Sequence, residues 1–562
     1  MRCTFLSACS LAVSVLLAPA AHAAVSCAEL AVDPAHGLAG NPRVKSVNSQ
    51  IISAGGPNVA HCQVNILYGE NPDQNINIRV GLPLNAADGG AGGVQGAWNG
   101  RTQGIGGGGC SGSLGVTGPV NAGYVGSGND TGHSGGNCEP GVNEDGTYNL
   151  QFINDFIRNG MKQQVLFSKA VASAYYEMKP AYNYWNGCST GGRQGYVLAQ
   201  ELGTELDGIL ANAPAIYWTR FQTAQMWGQI VMRELVGGPI AAAKLNQATT
   251  SAVAACDAAD GVVDGLIEDP RTCTFSAHAN VCGQPTAPAT NCLTIAEADA
   301  IDRIWDGPRN ALGNKVWFGL DRGTALTGLN GTNPFALGVT QFHWDMHDRN
   351  FDWREVSVDE YPEVAQEGSR NIADVTDTFG DLDVFRRNGG KLLTFVGAND
   401  QLIMPRGVIH YYRQMASRRG KGAGAGPDFG DLQSFYRLFR APGVAHCGGG
   451  TGAPQPQNLF GALVNWVENG VAPDQILAQT TISGVIRARP LCPYPQTAIY
   501  NGSGNPNDAA SFHCGGDLEE RAIVCADALA KYKHENVDGH LDYSGMGVNR
   551  NACELQRGRY QD

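Results

Sequence analysis

Gly187-Cys188-Ser189-Thr190-Gly191 is the segment best suited to do chemistry. It matches G-x-S-x-G, a spacing that sets a serine on a tight, strained turn between a strand and a helix, with its hydroxyl exposed. Glycines two residues to either side let neighbouring backbone pass where a Cβ would clash. The helix that follows aims its N-terminal amides, including that of Thr190, at the place where an oxyanion forms during acyl transfer. A serine nucleophile also needs a base and an acid that orients the base, in the chain order Ser, acid, His. Lys391 to Gly397 reads as a strand and runs into Ala398-Asn399-Asp400. An acid just past a strand's carboxyl end is where sheets of this kind build their sites, so Asp400 is the candidate, with a plain surface turn as its blander reading. Ser434 to Arg440 reads as another strand, followed by Pro442-Gly443-Val444-Ala445-His446. His410 falls in a helical stretch, and His513, His534 and His540 in a Cys-rich tail. His446 is the candidate base.

Cys188 directly precedes Ser189, and Cys447 directly follows His446. If serine and histidine are within hydrogen-bond reach, their neighbours' Cα atoms can fall in the ~4.4–6.8 Å window of a disulfide. Such a bond would clamp nucleophile to base across more than 250 residues of chain.

Asp257, Asp260, Asp264 and Asp269 lie within thirteen residues. Clustered carboxylates and backbone carbonyls are what a hard cation takes as ligands. The spacing departs from the EF-hand pattern, so an acidic solvated turn is the competing reading.

The elements that must position these groups have an α/β rhythm. Residues 24 to about 80 read as a strand layer, with Ile76 to Leu82 alternating apolar and polar. Residues 85–147 are glycine-dense, which suits tight turns or close approach to a ligand. Gln151 to Tyr176 has helical spacing, Tyr182 to Asn186 reads as a strand, Arg193 to Leu202 as a helix, and Gly208 to Ala213 as a strand. Strand, turn, helix and strand in that order predict a parallel sheet with crossover helices. The rhythm breaks from about 216 to 380 and returns at Lys391, continuing to a helix over Asn458 to Glu468. One α/β domain in two parts, 24–215 and 381–515, carrying a lid insertion at 216–380, accounts for the pattern.

The whole chain agrees with an exported enzyme. It has 562 residues, 43% hydrophobic, with 75 glycines. Its 39 basic and 52 acidic residues sum to −13, and no basic cluster offers the face that nucleic-acid binding needs. Residues 1–23 have Arg2, an apolar run from Leu6 to Leu17, and Ala21-His22-Ala23, which predicts a signal peptide cut after Ala23. That run is too short to span a bilayer, so no membrane attachment is expected and the location is secreted or periplasmic. Sixteen cysteines less Cys3 and Cys9 leave fourteen, an even number that suits an oxidising compartment. No C-x-x-C spacing favours zinc, and sequence alone leaves the pairing open beyond Cys188–Cys447.

The chain resembles the tannase and feruloyl esterase family of α/β hydrolases. The resemblance is carried by Trp98-Asn-Gly-Arg101, Gly106-Gly107-Gly108-Gly109, Gly187 to Arg193, Asp400, Pro442-Gly443 with His446-Cys447, and Arg489 to Pro495. It covers nearly all of the chain from 24 to about 515. It implies an α/β-hydrolase fold, a mostly parallel sheet flanked by helices with a large inserted lid. It implies hydrolysis of phenolic-acid esters (feruloyl or other hydroxycinnamoyl, or galloyl) with Ser189, Asp400 and His446 as triad. Its oxyanion hole would be the amides of Thr190 and Gly109. It also implies a structural calcium in the lid, held by the carboxylates of Asp257, Asp260 and Asp264 and the carbonyls of Val262 and Leu266, and no organic cofactor. The disulfide set expected with it adds Cys27–Cys62, Cys110–Cys138, Cys256–Cys273, Cys282–Cys292, Cys492–Cys514 and Cys525–Cys553, the last in an extension at 516–562.

The same family contains hydrolases of mono(2-hydroxyethyl) terephthalate, the alternative substrate type. Against it, the insertion looks shorter where an Arg-bearing segment would grip a free carboxylate, and Thr190 stands where those enzymes have an acid. Arg322, Arg349, Arg354 and Arg370 are the remaining candidate carboxylate partners. Trp305, Trp317, Phe318, Phe342, Trp344, Phe351 and Trp353 could stack on a phenolic ring, with core packing as the plainer reading. The expected partner is a small aromatic ester, free or attached to plant polymer. A binding module on a hydrolase scaffold is the non-enzyme alternative; losing a triad member would favour it, and none is lost. A serine peptidase on the same fold would share the triad.

Overall fold

The computed structural model describes residues 25–31, 41–376, 380–420 and 426–519. The signal segment with its cut after Ala23, and the Cys525–Cys553 pair, lie outside the described residues. Nine strands form one sheet: β1 (Val44–Ile52), β2 (His61–Tyr68), β3 (Ile76–Pro83), β4 (Arg101–Ile105), β5 (Val125–Asn129), β6 (Tyr182–Cys188), β7 (Gly208–Asn212), β8 (Lys391–Gly397) and β9 (Tyr436–Ala441). Their order is β1-β2-β3-β5-β4-β6-β7-β8-β9. Pairing is antiparallel through β3–β5 and parallel from β5 to β9. This is an α/β-hydrolase fold.

Residue type explains which strands lie where. β7 and β8 are continuous apolar runs, buried along nearly their whole length, as strands covered on both faces must be. β2 alternates buried and half-buried positions, the mark of one covered face. Two strands, β4 and β5, run through the glycine-dense stretch that reads as turns. Glycine is a poor strand former, yet β5 needs it: a Cβ at Gly128 would lie 2.1 Å from the Ser113 carbonyl oxygen.

Helix Gly160–Tyr176 packs Val171, Ala172 and Tyr175 against β1 to β3 and Trp98. Helix Leu459–Asn469 covers the opposite face, placing Leu463 with Leu210, Leu393 and Phe439. Between neighbouring strands β7 and β8 the chain makes its long excursion, with helices including Trp218–Ala224, Trp227–Val236, Ala242–Cys256, Ile295–Asp306, Ala336–Asp345 and Tyr361–Thr376. Its aromatic residues do not form a separate core. Trp305, Trp317 and Trp344 share one apolar cluster with Phe156, Trp185 and Tyr196 of the sheet layer. Trp344 shows how: its indole N–H donates to the Cys138 carbonyl at 2.8 Å, and its ring fills the space where Gly141 lacks a side chain.

Among the described residues, six disulfides join Cys27–Cys62, Cys110–Cys138, Cys188–Cys447, Cys256–Cys273, Cys282–Cys292 and Cys492–Cys514. That density belongs to an oxidising compartment. Among the described residues, no helix is long and apolar enough to cross a membrane.

Candidate active site

Ser189 stands between β6 and a helix that begins at the next residue, Thr190–Glu201, three positions earlier than its apolar spacing predicts. Thr190-Gly191-Gly192 carries no periodic signal, and glycine lowers helix propensity. Close packing requires it all the same. A Cβ at Gly106 would lie 2.3 Å from the Gly191 Cα, one at Gly187 2.4 Å from the Gly191 carbonyl carbon, and one at Gly192 2.5 Å from the Asn212 carbonyl oxygen. With those glycines in place, Ser189 takes φ 62° and ψ −124°, a left-handed conformation strained for a residue with a Cβ. Its amide donates to the Asn212 carbonyl, and its own carbonyl accepts from Arg193 and Ala215, each at 3.0 Å.

Asp400 follows β8 and His446 follows β9, so two neighbouring strand ends deliver them. Gly397 lets the histidine loop lie down, because a Cβ there would meet the Val444 carbonyl oxygen at 2.3 Å. Asp400 Oδ1 accepts the amides of Leu402 and Ile403, both at 2.9 Å, which locks the carboxylate. Its Oδ2 lies 2.8 Å from His446 Nδ1. The His446 backbone amide donates to Gln401 Oε1 at 3.1 Å. The imidazole is held on its Nδ1 side, leaving Nε2 for a reacting group. Cys188 and Cys447 are bonded with Cα atoms 5.9 Å apart.

Ser189 and His446 line one cavity of about 350 Å³, together with Gly108, Gly109 and Thr190. The Thr190 hydroxyl donates to the Gly109 carbonyl, and the Gly191 amide to the Gly107 carbonyl at 2.9 Å. These bonds hold the glycine run, with Gly109 at φ 58°, against the helix start. The Cys188–Cys447 bond borders it too, and the remaining wall is Ala215, Trp218, Phe221, Gln222, Gln225, Phe335, Leu337, Leu402 and Ile403. Arg193 backs it: fully buried, its guanidinium lies 4.7 Å from the Phe156 ring and 5.3 Å from that of Trp218.

Several sequence candidates lie elsewhere. None of Trp305, Trp317, Phe318, Phe342, Trp344, Phe351 and Trp353 lines this cavity; six of them are buried in the core and Phe351 packs against it. Arg322 is buried over Trp305, Arg354 pairs with Asp352, and neither these nor Arg349 and Arg370 reach the cavity. Trp218, Phe221, Gln222 and Gln225 escaped the sequence reading. Their i, i+3, i+4, i+7 spacing just after β7 was the available signal.

The acidic loop does not line this cavity, although its Leu266 packs beside Gly443 in the loop that leads to His446. Asp257 accepts the amides of Asp264 and Gly265 at 3.0 and 2.9 Å, and Asp260 that of Val262 at 2.9 Å. Asp264 pairs with Arg489 at 2.6 Å. Among the described residues no three or more His, Cys, Asp or Glu side chains are gathered as metal ligands.

The sequence model of tannase and feruloyl esterase matches residues 94–515. A probable feruloyl esterase from Arthroderma benhamiae is 33% identical over 487 residues, 81% of this chain and 86% of that protein. Probable feruloyl esterase B-2 from Aspergillus terreus is 28% identical over 506 residues, 85% of this chain and 89% of that one. Among solved structures, feruloyl esterase B from Aspergillus oryzae superposes with TM-score 0.71 at 24% identity, over 87% of this chain and all of that one. The tannin acyl hydrolase from Aspergillus niger does so with TM-score 0.75 at 22% identity, over 88% and 97%. The two superpositions establish the shared fold. With the family match spanning most of its length, the chain belongs to the tannase and feruloyl esterase family and is a carboxylic ester hydrolase.

Proposed function

We propose that the chain is an exported serine esterase that hydrolyses esters of phenolic acids, hydroxycinnamoyl or galloyl, through Ser189, His446 and Asp400. The observation that carries this reading is the 2.8 Å contact of His446 Nδ1 with a locked Asp400, on a histidine that shares its cavity with Ser189. His446 Nε2 takes the proton as Ser189 Oγ attacks the acyl carbonyl, and Asp400 stabilises the imidazolium. The amides of Thr190 and Gly109 receive the oxyanion. Collapse expels the alcohol, protonated by His446, and leaves an acyl-enzyme. Water activated by the same histidine then releases the acid.

The acyl wall supports an uncharged aromatic group. Trp218, Phe221 and Phe335 line it, and among the described residues no Asp, Glu, Lys or Arg does. The free carboxylate of a terephthalate monoester would be desolvated there without a partner. The excursion at 216–380 acts as the lid that supplies this wall, between the two hydrolase parts at 24–215 and 381–515. The six disulfides support export.

A structural calcium belongs to the same reading. The donors are hard oxygens, as calcium requires: the carboxylates of Asp257, Asp260 and Asp264 and the carbonyls of Val262 and Leu266 would hold it. When bound it would draw these carboxylates together, neutralise their charge and stiffen the lid loop, with no part in acyl transfer. Against that, Arg489 already partners Asp264.

The test is a panel of methyl ferulate, methyl gallate, a terephthalate monoester and a peptide anilide, run on wild type and Ser189→Ala. The phenolic esters should lead, and the variant should lose at least ~10³-fold in kcat with its melting unchanged. Ester turnover by Ser189→Ala within about tenfold of wild type would sink the triad.

A further inference from the structure

Helix Trp218–Ala224 leaves the carboxyl side of β7 and passes over the cavity. Trp218, Phe221, Gln222 and Gln225 share one helical face, and all four line the cavity that holds Ser189 and His446. Two aromatic rings suit an acyl wall. Two amides do not, unless something polar meets them. Apart from the candidate catalytic groups, they are the polar side chains on an otherwise apolar lining.

Both glutamines are 2% exposed, and the side-chain carbonyl oxygen of each is buried and accepts no hydrogen bond. In Gln225 the orientation is set by its amide nitrogen, which donates to the Leu402 carbonyl at 2.8 Å and leaves the oxygen as the unsatisfied end. Buried acceptors without donors destabilise a fold, and where they persist they call for an explanation. Two side by side on the wall of one cavity have a shared explanation in a ligand that brings donors. Since among the described residues no Asp, Glu, Lys or Arg lines the cavity, that ligand is neutral. A phenolic hydroxyl is a neutral donor, whereas a methyl ether can only accept.

We propose that Gln222 and Gln225 are the specificity-determining residues of the acyl pocket. Their carbonyl oxygens accept hydrogen bonds from free ring hydroxyls of the acyl group, and the site thereby selects hydroxylated aromatic acids over methylated or unsubstituted ones. As the structure stands, neither oxygen has accessible surface on the cavity, so the soft terminal torsion of each glutamine must turn to bring its oxygen onto a ring hydroxyl, and in Gln225 that turn gives up the bond to Leu402. The assignment rests on the esterase reading above, for which this cavity is the acyl site.

The experiment measures kcat/KM for the methyl esters of 3,4-dihydroxy-, 3,4-dimethoxy- and unsubstituted cinnamic acid. Wild type should favour the dihydroxy ester over both others by about tenfold or more. The unsubstituted ester separates lost donors from the bulk of two methoxy groups. Gln222→Leu and Gln225→Leu should each cut that preference by about threefold or more, by lowering the dihydroxy ester most. Because Gln225→Leu also removes the bond to Leu402, Gln222→Met serves as the milder variant, and the wild-type ratio needs no variant at all. A wild-type preference within about twofold overturns the assignment and leaves the esterase reading standing, as does a preference that none of the variants moves. No turnover of any of the three esters by folded wild type overturns the esterase reading itself.

Discussion

Cys188 and Cys447 are bonded with their Cα atoms 5.9 Å apart, and each is the chain neighbour of a residue that faces the cavity, Ser189 and His446. The link spans 259 residues of sequence, so no local element could set that spacing. It ties the turn after β6, which bears Ser189, to the loop after β9, which bears His446. A displacement of about 1 Å between reacting groups can cost ~10²-fold in rate. Replacing both cysteines by alanine should lower kcat by one to two orders of magnitude (about 10- to 100-fold) at temperatures where the fold persists, and change KM far less. Peptide mapping without reductant checks the bond itself. A variant with wild-type kcat would show that the sheet alone holds the two loops in register.

Gly106 and Gly191 make a second such contact, between the glycine run and the helix that follows Ser189. A Cβ on Gly106 would sit 2.3 Å from a backbone carbon, which cannot give way as a side chain can. Gly106→Ala should therefore push the run away from Thr190 and lower kcat/KM by roughly 10²-fold. Gly118→Ala is the control, since nothing lies within 4 Å of a Cβ there. Equal activity of the two variants would remove the close approach from the account.

The catalytic candidates were legible because each hangs on a local pattern. Ser189 sits in a short motif between recognisable elements, and Asp400 and His446 each lie in a loop a few residues past the end of a recognisable strand. The acyl wall was not, because Trp218, Phe221, Gln222 and Gln225 have the spacing of any half-buried helix; only the tertiary placement shows that the face they share borders a cavity. The aromatic residues of the excursion are the reverse case. Trp305, Trp317 and Trp344 could by type alone stack on a ligand ring, yet each is 1% exposed or less and serves the core, the plainer of the two readings. β4 and β5 escaped notice for a different reason: the Trp185 ring at Gly104 and close backbone at Gly126 and Gly128 demand glycine, which erases the strand signal.

Chelation tests the calcium proposal. A ligand held only by the folded state stabilises it by mass action, about 2.7 kcal/mol at a hundredfold excess over Kd. Removing calcium should lower the melting temperature by several degrees, and adding it back should restore it. Asp260→Asn should melt near the chelated wild type and no longer respond to chelator. Metal analysis showing no calcium in chelator-free protein, with an unmoved melt, would end the proposal and leave Asp257 and Asp264 as caps for the loop's own amides and for Arg489.

Acid should weaken the fold through His410. This residue lies on helix Pro405–Ser417, between the rings of Tyr217 and Phe318, with its Nε2 3.0 Å from the amide nitrogen of Gln414. Burial, with smaller contributions from Arg413 and Arg220, pushes its pKa down to about 4 from an ordinary 6.5. A depressed histidine means that the unfolded chain binds a proton the folded one refuses, throughout the interval between those two values. Stability is unaffected by this group well above about pH 6.5 and declines as the pH falls toward 4, by roughly 2–3 kcal/mol on reaching pH 4.5. His410→Gln cannot take up that proton. Denaturant unfolding at pH 7 and pH 4.5 should therefore show a smaller acid loss in the variant, by about that amount, even though the variant starts from a lower stability for want of a ring between Tyr217 and Phe318. Parallel losses in the two proteins would assign the acid sensitivity to other groups and show that His410 accepts its proton in place.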